Sequence, residues 1–211
     1  MASQPSNLQV SPARRGRRPL SEGPALDRAR LVETLIRMAR EGGVAALNIR
    51  PVAQELSVSP RLIYHHVRDK EAMISLLTDE ILHDRMPDLT ARDWETRLRT
   101  IVAAVHLAYR DFPGSAAFIL SRSANRLEQP HALAIRVAIF SALEQAGLNP
   151  AQREEMLILF SVVVLGNVVL AEGLPTSDTK LAMAREKVDA AFRRSVDMLS
   201  AAIRAAAAEP S

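Results

Sequence analysis

The protein of 211 residues contains no cysteine, which excludes disulfide bonds, thiolate zinc sites and cysteine nucleophiles. This absence is compatible with a reducing cytoplasm, where we place the protein. Glycine is scarce, at eight residues, and aromatic residues make up 4% of the chain. Because Ala, Leu, Arg and Glu crowd segments with helical spacing and no strand pattern is visible, the sequence predicts an all-α fold.

Apolar runs of membrane-spanning length are also missing. The first twenty residues are polar and end in arginines, so we expect no secretory signal. The one long apolar run, Met156–Ala171, has roughly 16 residues and contains Gly166 and Asn167, whereas about 20 residues are needed to cross a bilayer. We expect no membrane partner and interpret the run as a buried helix. The favoured role is core plus dimer seam, the seam formed together with the Ala-rich helix Leu181–Ala208, with one face shared by the pocket. A pocket wall is the alternative.

Motifs of common enzyme classes are absent, including Gly-x-Ser-x-Gly, a phosphate-binding glycine-rich loop and His-Glu-x-x-His. The adjacent His65 and His66 do not suit a metal, because neighbouring helical side chains point about 100° apart. His83, His106 and His131 have no neighbours at helical spacing that complete a ligand set. We therefore expect neither an enzyme nor a bound metal or cofactor.

Positive charge is concentrated at the front of the chain. Residues 1–70 carry 12 Lys and Arg against 6 Asp and Glu, a net charge of +6, whereas residues 71–211 carry 15 and 18, a net charge of −3. Since phosphate neutralisation supplies most of the nonspecific affinity for DNA, this asymmetry favours a nucleic-acid partner. The alternative is a solvated basic tail.

Residues 1–24 contain few large apolar groups, so we predict a disordered basic arm. Its arginines are similar to those of short Arg-Gly-Arg arms that enter narrow minor grooves of DNA. The arm residues assigned to this role are Arg14, Arg15, Arg17 and Arg18.

Three helices are predicted over residues 25–71. Apolar residues recur at three- and four-residue steps over Asp27–Glu41, which indicates an amphipathic helix ended by Gly42-Gly43. Asn48 is placed to cap a second short helix. Ser59 and Pro60 open a third, which runs to about Val67. Two short helices joined by a short turn and preceded by a longer one make a tri-helical helix-turn-helix.

Further helices follow, separated by proline and glycine breaks. Asp69 is placed to cap a fourth helix, from Lys70 to about Arg85, which links the two halves of the chain. The remaining helices are predicted at about 92–111, 115–121, 130–146, 150–172 and 178–208.

The stretch Leu31–Leu82, and above all Leu47–Glu71, resembles the DNA-binding domain of the TetR (tetracycline-repressor-like) family. Val-Ser-Pro, Tyr-x-His-Val and Asp-Lys-Glu lie there in order without a gap. Beyond it, the chain is similar to the family in helix count and in Asp93-Trp94 at the start of the fifth helix. The resemblance implies a homodimer that binds double-stranded operator DNA, with a ligand-binding and dimerisation domain at 72–211 for a small-molecule effector.

The resemblance also implies residue roles. Arg50 would reach a base edge, where arginine pairs with guanine O6 and N7, and Pro60 and Arg61 open the recognition helix. Residues that match the family's phosphate contacts are Tyr64, His66 and Lys70. The full set assigned to the DNA-binding surface is Asn48, Arg50, Ser59, Pro60, Arg61, Tyr64, His65, His66 and Lys70.

Three residues depart from the family pattern. Ser57 stands where glycine is usual in the turn, and Ile49 stands where a hydroxyl residue is common. Leu62 replaces a smaller residue and either fills the three-helix core or contacts a thymine methyl. Ser115–Arg122 also lacks the histidine with which tetracycline repressors hold magnesium.

Four polar residues within apolar helices are candidate effector contacts, since a pocket needs a few polar groups among apolar walls. They are His106, Tyr109, Arg122 and Asn167. The predicted function is a ligand-responsive regulator, most simply a repressor that leaves its operator when the effector binds. The alternatives are a sequence-independent architectural DNA-binding protein, a small-molecule sensor with lapsed DNA binding, and an enzyme of unrecognised type.

Overall fold

The computed structural model describes residues 26–89, 93–122, 129–174 and 179–208. Over these ranges the chain forms nine α-helices, one 3₁₀ turn and no β-strand, which confirms the predicted all-α fold. The helices are α1 (Arg28–Gly42), α2 (Ile49–Glu55), α3 (Pro60–Tyr64), α4 (Lys70–Asp84), α5 (Trp94–Arg110), α6 (Ser115–Leu120), α7 (Pro130–Gln145), α8 (Pro150–Glu172) and α9 (Thr179–Ala208), and the 3₁₀ turn is Val44–Ala46. The arm residues Arg14, Arg15, Arg17 and Arg18 lie outside the described residues.

Local side-chain caps start several helices. Asp27, Asp69 and Asp93 accept amide hydrogen bonds of 2.7, 2.7 and 2.8 Å at the starts of α1, α4 and α5, each contributing about 0.5–2 kcal/mol. The prediction that Asn48 caps α2 is wrong, since its side chain makes no cap bond. Its Oδ1 instead accepts a hydrogen bond from Lys70 Nζ at 3.0 Å, which ties the start of α2 to the start of α4.

The third helix is shorter than predicted. It ends at Tyr64 rather than near Val67, because His65-His66 forms a turn. Ser59 occupies the cap position before Pro60 in extended backbone, but its side chain makes no cap bond.

Two apolar cores hold the helices together. The first contains buried residues of α1 and α3, such as Leu35 and Ile63, and continues through Leu77 of α4 to α5, α6 and α8. The second lies among α5, α7, α8 and α9, around Ile101 and Leu143. Because α4 packs into the first core with the helix-turn-helix, a shift of α4 moves that unit with it.

Helix α8 has the bounds predicted from the sequence, 150–172. It spans 23 residues and is long and apolar enough to cross a bilayer by length and composition alone, although the apolar run within it is shorter. The helix begins at Pro150, before the apolar run, because Asn149 and Gln152 form a capping box there. One third of its most apolar 18-residue window is buried, and the helix packs against α5, α6, α7 and α9. It is therefore a core helix with one uncovered side.

Candidate DNA-binding interface and ligand cavity

The turn between α2 and α3 is closed by backbone hydrogen bonds. The amide of Ser57 donates to Gln54 O at 3.0 Å, and the amide of Val58 donates to Ala53 O at 2.9 Å. Ser57 has φ = 55°, a left-handed conformation that L-residues adopt at a cost. Ala53 and Ile63 are buried where the two helices cross. The turn therefore sets the angle at which α3 leaves α2.

The predicted DNA contacts lie on the surface of the helix-turn-helix. Eight of the nine are exposed, namely Asn48, Arg50, Ser59, Pro60, Arg61, Tyr64, His65 and Lys70. Tyr64 is 54% exposed, unusual for so large an aromatic side chain inside a folded unit. Leu62 is half-buried against the first core, which favours its core-filling role over contact with a thymine methyl. The surface can thus offer cationic and hydroxyl donors to a polyanion.

His66, the ninth residue, has a partner within the chain. Its Nε2 donates to Leu26 O at 3.0 Å, since a carbonyl oxygen can only accept. The bond joins the end of α3 to the residue that precedes α1. His66 therefore ties the turn after the recognition helix to the segment before α1, and its side chain is half-buried.

A cavity of about 560 Å³ lies among α5, α6, α7 and α8, with Leu82 of α4 in its wall. Its lining is mostly apolar, with Ile101, Ile135 and Leu165 as examples. This volume lies within the range of small-molecule sites. Of the four predicted effector contacts, only Tyr109 lines the cavity, and its hydroxyl donates to Thr78 O of α4 at 3.2 Å.

His106 and Asn167 form a separate buried pair. His106 Nε2 donates to Asn167 Oδ1 at 2.7 Å, and Asn167 Nδ2 donates to Val188 O of α9 at 2.9 Å. The His106 ring stacks on Phe192, with ring centroids 4.1 Å apart. Burial lowers the pKa of His106 below its usual value, and the bond to Asn167 only partly opposes this. The pair fastens α9 to α5 and α8.

Arg122, the fourth predicted effector contact, pairs with Glu71 through both guanidinium nitrogens NH1 and NH2. Both side chains are more than a third exposed, so the pair contributes little to stability. It nevertheless links the residues after α6 to the first turn of α4.

A buried carboxylate joins α4 to α7. Asp79 is fully buried and accepts hydrogen bonds from the amides of His131 and Ala132 at 3.1 and 2.9 Å, and from His131 Nδ1 at 2.9 Å. These amides belong to the first turn of α7, where no helical carbonyl can reach them. Ala132 also lines the cavity, as does Leu82 three residues after Asp79. A molecule that fills the cavity would therefore lie beside both α4 and α7 where they meet.

A second contact joins the helix-turn-helix to the turn between α5 and α6. Val44 N donates to Pro113 O at 2.9 Å, and a Cβ on Gly43 would lie 2.7 Å from the same oxygen. Gly114 N donates to Glu172 Oε2 at 3.0 Å, at the end of α8. Burial raises the pKa of Glu172 above its usual value. The backbone approaches too closely here for any residue but glycine at position 43.

Sequence reasoning missed these long-range contacts. Asp79 lies in the middle of α4 beside another charged residue, so nothing in its immediate sequence marks it. Only its place on the apolar side of α4 could have indicated a buried acid. Arg136 of α7 and Glu154 of α8 both line the cavity and form an ion pair at 2.6 Å. Because the pair joins two helices, no local sequence pattern predicts it. Within the described ranges, no three His, Asp or Glu side chains form a group that could hold a metal.

The exposed α3 follows α2 after a tight turn, and the later helices form a body that contains a cavity. This arrangement defines a helix-turn-helix DNA-binding protein. Residues 31–77 match the family model described as "Bacterial regulatory proteins, tetR family". The match to this family thus covers the helix-turn-helix and the first half of α4.

The curated relatives match part of the chain. The class D tetracycline repressor protein of Escherichia coli is 29% identical over 92 residues, which cover 41% of this chain and 42% of that protein. The chain thus matches less than half the length of this relative.

Solved structures match nearly the whole fold. BioQ of Mycobacterium smegmatis has a TM-score of 0.72 at 20% identity, covering 86% of this chain and 99% of that one. BioQ with its natural double-stranded DNA operator gives 0.69 at 21% identity, covering 85% and 99%. ActR of Streptomyces coelicolor in complex with actinorhodin gives 0.71 at 20% identity, covering 89% and 100%. At these identities the likeness establishes the shared fold.

Proposed function

We propose that the protein is a ligand-responsive transcriptional regulator, a homodimeric repressor that leaves its operator when a small molecule fills the cavity. The observation that carries the proposal is the direct connection of α4 to both the helix-turn-helix core and the cavity wall. The operator bound by BioQ and the actinorhodin bound by ActR support it by analogy. Because the proposed target is chromosomal DNA, we assign the protein to the cytoplasm.

Operator contact is assigned to the exposed face around α3. Arg50 and Arg61 supply base or phosphate contacts, and Tyr64 and Lys70 supply phosphate contacts. The arm residues Arg14, Arg15, Arg17 and Arg18 add minor-groove contacts in this proposal. Asn48 and Lys70 already share a hydrogen bond, so Lys70 is positioned before DNA arrives.

Dimerisation is assigned to a stripe of α8 made of Leu159, Val162, Gly166 and Leu170. The spacing of three and four residues puts them on one side of the helix, where Val162 is 56% and Leu170 is 66% exposed. A Cβ placed on Gly166 would meet nothing within 4 Å. An uncovered apolar stripe with a glycine at its centre suits close packing against a second copy.

The dimer seam is tested by Gly166→Arg, which the isolated protomer accommodates because the space above Gly166 is open. We expect light scattering to show a dimer for the parent and a folded monomer for the variant. Leu107→Arg, at an exposed apolar position on α5 outside the stripe, is the control and stays dimeric. A dimeric Gly166→Arg protein would refute this seam.

Two states of the dimer explain release. Half-sites lie about one DNA turn apart, so both recognition helices must keep that spacing. A ligand that binds better to a state with altered α4 positions shifts the population away from DNA. The Asp79 contact connects the cavity wall to α4 and is the assigned coupling point.

DNA binding is tested by fluorescence anisotropy in about 0.15 M salt, against duplexes from the region flanking the coding sequence, with scrambled duplex as competitor. We expect affinity roughly 10³-fold above the scrambled duplex. Arg50→Ala should cost about 1–3 kcal/mol, whereas Arg194→Ala, an exposed charge on α9, should leave affinity nearly unchanged. Equal binding to both duplexes indicates an architectural protein, and no binding to any genomic fragment indicates a sensor with lapsed DNA binding.

A further inference from the structure

The cavity wall is poor in polar groups. Of the described residues that line it, only Tyr109, Arg136, Glu154 and Ser161 are polar, and the other fifteen are apolar. The chemistry of these four side chains therefore decides what kind of molecule the cavity accepts.

The two hydroxyl groups already use their protons within the protein. Tyr109 Oη donates to Thr78 O at 3.2 Å, and Ser161 Oγ donates to Leu157 O at 2.8 Å. An anionic ligand group needs donors that point at it. Neither hydroxyl can donate to an anion without giving up its present bond to a backbone carbonyl.

The two charged groups neutralise each other. Arg136 NH2 donates to Glu154 Oε1 at 2.6 Å, and the guanidinium lies over the Phe140 ring with its carbon 4.5 Å from the centroid. Both side chains are partly open to solvent, Arg136 by 27% and Glu154 by 52%, so the pair lies at the mouth of the cavity. A charged ligand would leave water for an apolar wall that offers it no unpaired opposite charge, which is unfavourable.

We propose that the effector is an uncharged, largely apolar small molecule that leaves the Arg136–Glu154 pair intact. This inference rests on the proposed function, in which the cavity is the effector site, and adds the chemical class of the effector. The pair closes one side of the cavity as a neutral polar rim, while the apolar wall supplies the affinity by burial.

Two dyes with the same ring system test the class. N-phenyl-1-naphthylamine is neutral, and 1-anilinonaphthalene-8-sulfonate is its anionic counterpart. Each is titrated into the full-length protein without DNA and followed by fluorescence. We expect the neutral dye to bind at least tenfold more tightly. An anionic dye that binds equally or more tightly, with the preference lost in Arg136→Gln, would overturn the proposal and assign an anion site to Arg136.

Cavity-filling variants show where the dyes bind. Ile139→Trp on α7 and Val105→Trp on α5 place an indole in the cavity from opposite helices, and each should weaken the neutral dye at least tenfold while retaining helical circular dichroism. Two variants guard against one failing to fold. Leu107→Trp, exposed on α5 and outside the lining, is the control and should bind like the parent. Unchanged binding in both folded cavity variants would overturn the proposal.

Operator release is measured separately, so that the two proposals fail in different ways. If the neutral dye binds in the cavity and operator affinity stays the same, the ligand class stands and this dye is no inducer. If an anionic molecule is found to release the operator through the cavity, the regulatory function stands and the neutral class is refuted.

Discussion

At the scale of single residues, Ser57 carries a conformational cost at the centre of the DNA-binding unit. Its φ of 55° is left-handed, which costs an L-residue about 1–2 kcal/mol, whereas glycine adopts it freely. A glycine at this position also lowers the free energy of unfolding by about 0.4–1 kcal/mol, because it gives the unfolded chain more conformational freedom. The backbone strain that glycine removes is larger than this loss.

Ser57→Gly should therefore raise the free energy of unfolding by about 0.5–1 kcal/mol. Chemical denaturation followed by circular dichroism measures the change. Ser59→Gly, where φ is −73°, is the matched control and should give no gain. A loss of stability in Ser57→Gly would contradict the assigned cost.

His106 makes stability depend on pH. Because its pKa is lower in the folded protein than in the unfolded chain, the unfolded chain binds a proton first as the pH falls. The stability that the neutral ring contributes is present above the unfolded pKa, about 6.5, and is lost as the pH falls through the folded pKa.

We expect the melting temperature of the parent to fall between pH 7 and pH 5 more steeply than that of His106→Gln. Glutamine has no proton to bind in this range and still offers an amide donor to Asn167. Thermal melts of both proteins at matched ionic strength measure the two slopes. Equal slopes would show that His106 does not contribute to the acid sensitivity.

At the scale of the helices, the Asp79 contact determines how α4 and α7 move together. Its carboxylate is the acceptor for two amides at the start of α7. Removing it leaves buried donors unsatisfied, and hydrogen bonds to charged groups contribute about 1.5–3 kcal/mol each.

Asp79→Ala should lower the free energy of unfolding by about 2–4 kcal/mol, and Asp79→Asn should lower it less, because one carbonyl acceptor remains. Asp84→Ala, an exposed acid on the same helix, should change it by less than about 0.5 kcal/mol. Urea denaturation measures all three. A loss in Asp79→Ala no larger than that in Asp84→Ala would show that the contact does not hold the helices together.

At the scale of the whole molecule, the joint between Gly43 and Pro113 connects the DNA-binding unit to the rest. Gly43 has φ = 67°, and any Cβ there would press on Pro113 O at 2.7 Å. The bond from Val44 N to the same oxygen would be broken by the shift that relieves the clash. The joint therefore depends on the absence of one side chain.

Gly43→Ala should destabilise the protein by more than about 1 kcal/mol and make proteolysis near the joint faster, because the two halves separate more easily. Gly173→Ala is the control, since a Cβ there meets backbone atoms only at 3.7 and 3.9 Å and its φ is −71°. Guanidinium denaturation and limited proteolysis measure both effects. Parent-like behaviour of Gly43→Ala would mean that the joint can relax.

Local sequence patterns determine most of the helix boundaries and the helix-turn-helix, and these features were predicted correctly. Helix ends at Asp27, Asp69 and Asp93 follow from caps that act over three residues. The helix-turn-helix follows from an uninterrupted motif, and the exposure of Arg61 and Tyr64 agrees with their assignment to its outer face. Asn48 was predicted wrongly because a competing partner, Lys70, is 22 residues away.

The sequence by itself determined the helices, the DNA-binding unit and its resemblance to the family, because periodicity, caps and motifs are properties of neighbouring residues. Only the tertiary structure decided that Tyr109 lines a cavity, that His106 pairs with Asn167 and that Arg122 pairs with Glu71. The physical reason is that each of these contacts joins residues more than 30 positions apart. Which polar side chain meets which partner then depends on how the helices pack, and no local pattern encodes it.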